Sequence, residues 1–158
     1  MSEITQRPDP ATGLLAMARQ FIEAIPHSRA LGMRVEEIEN GRATITMPYD
    51  LRLVGDPRSG VIHGGAVSAL MDTCCGAAVL AHPESPAATA TIDLRIDYMR
   101  GARPGSAITA RAECFHVTRS VAFVRATAHD DADTGTPVAM ATGAFTVERP
   151  RGKKGASA

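Results

Sequence analysis

The residues of this chain best placed to do chemistry are Gly60-Val61-Ile62-His63-Gly64-Gly65 and, nine positions beyond His63, Asp72. Two adjacent glycines at the start of a helix let a ligand approach the backbone with no side chain in the way. The first turn of a helix leaves N–H groups without intrahelical partners and carries a partial positive charge. A carbonyl oxygen gaining negative charge in a transition state is stabilised at such a place, as in an oxyanion hole. Asp72 offers the complementary group, a carboxylate able to take a proton. Gly65, Ala69 and Gly76, seven and three positions before it and four after, share its side of a helix and leave room for a substrate or a water. Aspartate is also a poor helix-interior residue by propensity. Taken singly, a helical aspartate is usually a solvated side chain and a Gly-Gly pair only a turn. The combination at this spacing is what points to chemistry.

Positioning these groups requires a helix over His63–Leu80, where Val67, Leu70, Met71, Cys74 and Ala78 recur at helical intervals and His82-Pro83 ends the pattern. Upstream, a helix capped by Thr12 carries Leu14, Leu15, Ala18, Phe21, Ile22 and Ile25 and is stopped by Pro26. Two strands, Met33–Glu39 and Arg42–Met47, are joined by Asn40-Gly41, a strong type I′ hairpin signal. Tyr49–Ile62, with Gly55, Pro57 and Gly60, reads as a loop. Four strands follow the central helix, Ala88–Tyr98, Ser106–Val117, Ser120–His129 and Val138–Val147, with an Asp/Gly-rich turn at Asp130–Gly135. The expected architecture is α+β, an antiparallel sheet wrapped around one central helix, with an extra N-terminal helix. One long helix cannot cover such a sheet, and a second copy of the chain would complete the burial.

Composition narrows the partners. Lys+Arg and Asp+Glu both number 17, so there is no basic excess for a nucleic acid and no acidic tail. No apolar run spans a bilayer and the N-terminus is not a secretory signal, so no membrane partner is expected. Cys74, Cys75 and Cys114 lack Cys-x-x-Cys spacing, which argues against zinc or a disulfide framework and for a reducing cytoplasm. Cys74 and Cys75 fall at core-like positions, and His27, His82, His116 and His129 lack ligand-like spacing, so no metal is expected. Walker and Rossmann glycine patterns are absent. The domain is expected over residues 11–148, between a polar N-terminal tail, 1–10, and a basic C-terminal tail, 149–158.

Gly60–Thr73, Gly-Val-Ile-His-Gly-Gly-Ala-Val-Ser-Ala-Leu-Met-Asp-Thr, resembles the helix-entry motif of hotdog-fold thioesterases of the phenylacetate-pathway (PaaI) type. Thr91-Ile-Asp-Leu-Arg-Ile-Asp-Tyr-Met-Arg resembles that family's third-strand pattern, and the layout matches from about Met33 to Val147. The resemblance implies a hotdog fold and hydrolysis of an acyl-CoA to free acid and CoA, with CoA as part of the substrate and no other cofactor. It makes Asp72 the catalytic carboxylate, as general base or nucleophile. It makes Gly64 the N–H that polarises the thioester carbonyl, His63 the support of the thioester end and Thr91 the holder of the attacking water. Helix and histidine loop meet across a dimer interface in such proteins, so each site is expected to draw on two chains of a homo-oligomer, a dimer or a dimer of dimers. Many relatives carry Asn or Gln fifteen positions before the acid; here that position is Pro57, which has no donor, and the neighbouring Asp56 would take over part of the role.

The CoA phosphates are expected along Arg100, Arg103 and Arg119-Ser120, where the resemblance places them at the oligomer surface and a guanidinium suits phosphate oxygens, with Gly65 expected to meet the substrate at the helix start. Ordinary surface arginines account for the pattern equally well. Two other functions fit the sequence: a non-catalytic acyl-CoA-binding module, and a hotdog dehydratase or hydratase. The few aromatic residues, 4%, lean toward an aliphatic rather than an aryl acyl group.

Overall fold

The structure, a computed structural model, describes residues 10–84, 86–133 and 135–149. Helix α1 spans Pro10–Ala24, so it starts two residues before the expected cap, Thr12. Proline suits the first helical position, where its missing N–H would have no partner anyway. The same asymmetry explains Pro26. It does end the first helix, but it opens a second, α2 (Pro26–Ala30). The remaining residues of the two expected tails lie outside the described residues.

Strands β1 (Arg34–Glu39) and β2 (Arg42–Met47) form the expected hairpin. Asn40 and Gly41 have φ of 46° and 79°, the two positive values that a type I′ turn demands. The segment read as a loop has structure of its own: a 3-10 turn at Leu51–Leu53 and a short antiparallel ribbon of β3 (Val54–Asp56) and β4 (Val61–Ile62). Then come the central helix α3 (Gly64–Leu80) and strands β5 (Thr91–Tyr98), β6 (Ile108–Val117), β7 (Val121–Asp130) and β8 (Ala139–Thr146).

Six strands make one antiparallel sheet in the order β1-β2-β6-β7-β8-β5, wrapped on α3. Side chains alternate across it. The face toward the helix is rich in alanine, with Ala110, Ala112, Ala126, Ala128, Ala139 and Ala141 all buried. Small side chains there let the helix lie close to the strands. Val67, Leu70, Met71, Cys74 and Ala78 of α3 fill the space between and are buried, as their spacing predicts. Strand β5 is the sheet's edge beside α3. It pairs only with β8 among the described residues and exposes Ile92. No helix of the described residues is long and apolar enough to cross a membrane.

Candidate active site

The β3–β4 ribbon delivers His63 to the helix. The His63 N–H donates to the Leu53 carbonyl at 2.8 Å, and its own carbonyl accepts from the Ala66 N–H at 3.0 Å. The ring then caps α3, with Nδ1 accepting from the Gly65 N–H at 2.9 Å. In the neutral ring this places the proton on Nε2. Glycines on both sides make room for the imidazole: a Cβ on Gly55 would lie 2.9 Å from His63 Cα, and one on Gly65 would lie 2.9 Å from Nδ1. Gly65 was expected to face the substrate, but its N–H is spent on the cap. Among the described residues the Gly64 N–H has no hydrogen-bond partner, and it is the donor left free at the helix entry.

Asp72 is half-buried, two turns further along α3. Thr91 Oγ1 donates to Asp72 Oδ1 at 2.7 Å, which unites two of the expected residues. No cation pairs with Asp72 among the described residues, and Oδ2 has no partner there. Alternation along β5 would turn Thr91 away from the helix, with Asp93 and Arg95. A register shift between Thr91 and Asp93 reverses this, setting Thr91 opposite the buried Phe145.

The other end of β5 carries a residue that sequence reasoning missed. Tyr98 Oη donates to the Gly64 carbonyl at 2.7 Å and lies 2.5 Å from Ser68 Oγ, which itself reaches the Gly64 carbonyl at 3.2 Å. Strand β5 therefore touches the helix through a hydroxyl near each end, Thr91 at the carboxylate and Tyr98 at the helix entry. Tyr98 was visible in the sequence only as an inward position of an alternating strand.

Beside the helix entry lies a slot of about 290 Å³, lined by Val61, Ile62, Gly64, Val67, Tyr98, Met99, Arg100, Gly101, Ala102 and Val138. A hub around the buried Asp130 fixes its wall. Asp130 accepts from Arg100 at 2.6 Å, from the Arg103 N–H at 2.9 Å and from the Asp133 N–H at 2.9 Å. The Arg100 guanidinium, followed by burial and these N–H donors, governs the Asp130 carboxyl, and the net effect holds it far below the usual carboxylate range. Arg100 also donates to the carbonyls of Gly101, Asp133 and Thr136, so its guanidinium is committed to the fold. Arg103 and Arg119 are exposed and enter no ion pair among the described residues. Arg103 lies at the Gly64 end of the sheet. Arg119 and Ser120 form the β6–β7 turn at the opposite end, where the Ser120 carbonyl accepts from Val147.

Asp56 sits at the tip of the β3–β4 ribbon. Its Oδ1 accepts from the Arg58 N–H at 3.0 Å, and that bond with the Ser59 hydroxyl lowers its pKa from the ordinary carboxylate value. Asp56 thus closes its own turn around Pro57. Cys74, Cys75 and Cys114 are free and buried. Burial pushes the Cys74 thiol up to about 12, which leaves no thiolate to act as a nucleophile.

Gly64 and Asp72 stand eight residues apart, about 12 Å along the axis at ~1.5 Å per residue.

Residues 59–136 match the family model described as the Thioesterase superfamily. The chain is 42% identical to a Pseudomonas aeruginosa protein of known structure, with TM-score 0.74, 84% of this chain covered and 98% of that one. It is 28% identical over 131 residues to the medium/long-chain acyl-CoA thioesterase YigI of Escherichia coli, covering 75% of this chain and 84% of YigI. It is 26% identical to the phenylacetic acid degradation protein PaaI of Thermus thermophilus, with TM-score 0.68, 77% of this chain covered and 98% of that one.

Proposed function

Because the chain belongs to the thioesterase superfamily, a family of hotdog fold, we propose that it hydrolyses an acyl-CoA to the free acid and CoA, with Asp72 activating the water. The observation that carries this reading is the Thr91–Asp72 pair, an accessible carboxylate with one oxygen held and the other free. In the proposed reaction a water donates its proton to Asp72 Oδ2 as its oxygen attacks the thioester carbon. The carbonyl oxygen gains charge against the Gly64 N–H. The tetrahedral intermediate then collapses, the C–S bond breaks, and the proton on Asp72 passes to the leaving thiolate. His63, through Nε2, stands beside the thioester end.

The separation of Gly64 from Asp72 supports a site shared by two copies. If β5 pairs antiparallel with β5 of a second copy about its centre, between Leu94 and Arg95, the Thr91 end of one strand meets the Tyr98 end of the other. Asp72 of one chain is then brought toward Gly64 of its partner, and an exposed edge is covered. A homodimer is therefore the smallest active form, and joining dimers further into tetramers leaves this logic unaltered. The slot beside Gly64, mostly apolar in its lining, suits an aliphatic acyl chain, and YigI is named a medium/long-chain acyl-CoA thioesterase. Arg103 and Arg119-Ser120 remain for the CoA phosphates, and three free cysteines fit a reducing compartment such as the cytoplasm.

The test is release of CoA thiol from acyl-CoAs of graded chain length, for wild type and Asp72→Asn. General-base assistance contributes about 10²–10⁴-fold, so Asp72→Asn should keep its thermal midpoint and KM while kcat falls roughly a hundredfold or more. Binding without turnover by wild type would instead indicate an acyl-CoA-binding module. Near wild-type kcat in a folded Asp72→Asn protein would remove Asp72 from the mechanism.

A further inference from the structure

Glycine is the most mobile backbone unit, and two in succession at a helix entry leave the peptide between them with little intrinsic preference. A donor for an oxyanion has to be held to within a fraction of an ångström of the place where charge develops, or its advantage is lost. The Gly64 N–H belongs to the His63–Gly64 peptide, and the next peptide along the helix, Gly64–Gly65, is gripped at both ends. Its N–H donates to His63 Nδ1 at 2.9 Å, and its carbonyl accepts from Tyr98 Oη at 2.7 Å. The Tyr98 ring also lies over Gly64, with Cε1 3.5 Å from where a Cβ would be. Ser68, one turn on, completes the clamp through Tyr98 Oη at 2.5 Å. With one proton on each hydroxyl, Tyr98 donates to the carbonyl while Ser68 donates to Tyr98.

We propose that Tyr98, backed by Ser68, is a positioning residue for hydrolysis: by pinning the Gly64 carbonyl it fixes the first turn of α3 and thereby aims the free Gly64 N–H. This rests on the reading that the Gly64 N–H polarises the thioester. Tyr98 is tied to the turn by its hydroxyl, half-exposed, and thirty-four residues distant in sequence. The strand that bears it also carries Thr91, so a single element sets both the carboxylate and the donor. A tyrosine retained only for packing would serve equally well as phenylalanine.

The experiment compares wild type, Tyr98→Phe, Ser68→Ala and Gly64→Pro for kcat, KM, thermal midpoint and amide hydrogen exchange at Gly65. For Tyr98→Phe the expected result is a kcat lower by roughly tenfold with KM and midpoint nearly unchanged, together with faster exchange of the Gly65 N–H. Ser68→Ala should show the same pattern to a smaller degree, and it carries the test if Tyr98→Phe does not fold. Unchanged kcat, unchanged Gly65 exchange, or a kcat that falls only in step with the midpoint would overturn the proposal. If Gly64→Pro, which lacks the N–H, loses activity and Tyr98→Phe does not, the positioning role fails alone. If Gly64→Pro stays active, the reading of the donor on which the proposal rests fails, and faster Gly65 exchange in Tyr98→Phe would report the clamp without a catalytic role.

Discussion

Replacing Gly64 by proline deletes one atom group of interest, the N–H assigned to the thioester carbonyl, at a place where the backbone already has the geometry for it. Gly64 is the first residue of α3, the helical position that proline favours. His63 before it has φ −59° and ψ 133°, the extended conformation that a following proline requires. The carbonyl of residue 64 is retained, so the Tyr98 hydroxyl keeps its acceptor. An added Cβ would stand 3.5 Å from the Tyr98 ring, an ordinary contact. Since the N–H has no partner among the described residues, no hydrogen bond of the fold is lost with it. Removing one such donor costs about 10²–10³ in kcat. Gly64→Pro should therefore fold, with a thermal midpoint at or slightly above wild type because proline restricts the unfolded chain. Its kcat should fall by roughly that factor. Gly64→Ala restores the N–H while keeping the added Cβ, so it should recover most of the activity. The assay is thiol release with kcat, KM and thermal midpoint measured for all three proteins. A folded Gly64→Pro with near wild-type kcat would refute the assignment of the donor, and Gly64→Ala as inactive as Gly64→Pro would show that the loss was steric.

Mixing Gly64→Pro with Asp72→Asn tests the shared site. Two-fold dimers paired at random give half heterodimers, each with one intact site, so about a quarter of wild-type activity should return on co-refolding; a site within one chain would return none. Asp130→Asn should lower the thermal midpoint at neutral pH, since it weakens the grip on a largely buried guanidinium at a cost of roughly 1–3 kcal/mol. The Asp130 pKa is depressed in the folded chain, so its stabilisation is full above the ordinary carboxylate value and is lost as pH falls through the folded one; the gap between the two midpoints should narrow in acid, and a gap independent of pH would contradict this. Arg103→Ala or Arg119→Ala should raise KM more than it lowers kcat, because phosphate contacts are made equally in ground and transition states; unchanged KM in both would return these arginines to the solvated surface.

The parts of the fold that sequence expresses locally were readable: the helix from its apolar interval, the hairpin from Asn40-Gly41, and four strands from their composition. What was not readable depends on contacts distant in the chain. The ribbon of β3 and β4 is too short for a period, and what secures it is His63 bonding back to Leu53. Arg100 and Arg103 look alike in sequence, yet Arg100 is committed to Asp130, thirty residues away, whereas Arg103 gives the same carboxylate only its backbone N–H. Asp56 likewise has the right chemistry for a substrate contact, but a turn beside proline claims it.

The site itself follows the same division. The spacing of His63, Gly64 and Asp72 was legible because they fall at the cap and along one helix, where spacing in sequence is spacing in space. Thr91 reaches Asp72 through a register shift that no alternation announces, and Tyr98 bonds a backbone carbonyl, which has no sequence signature. The helix that made the motif visible also limits it. Residues eight apart on a helix have backbones about 12 Å apart along the axis, which favours a site completed by a second chain. On the proposed reading, with the polarising donor at one point of a helix and the carboxylate two turns on, a second helix running past in the opposite sense completes the site, and the exposed edge strand β5 joining both points is the element through which two-fold symmetry would supply that helix.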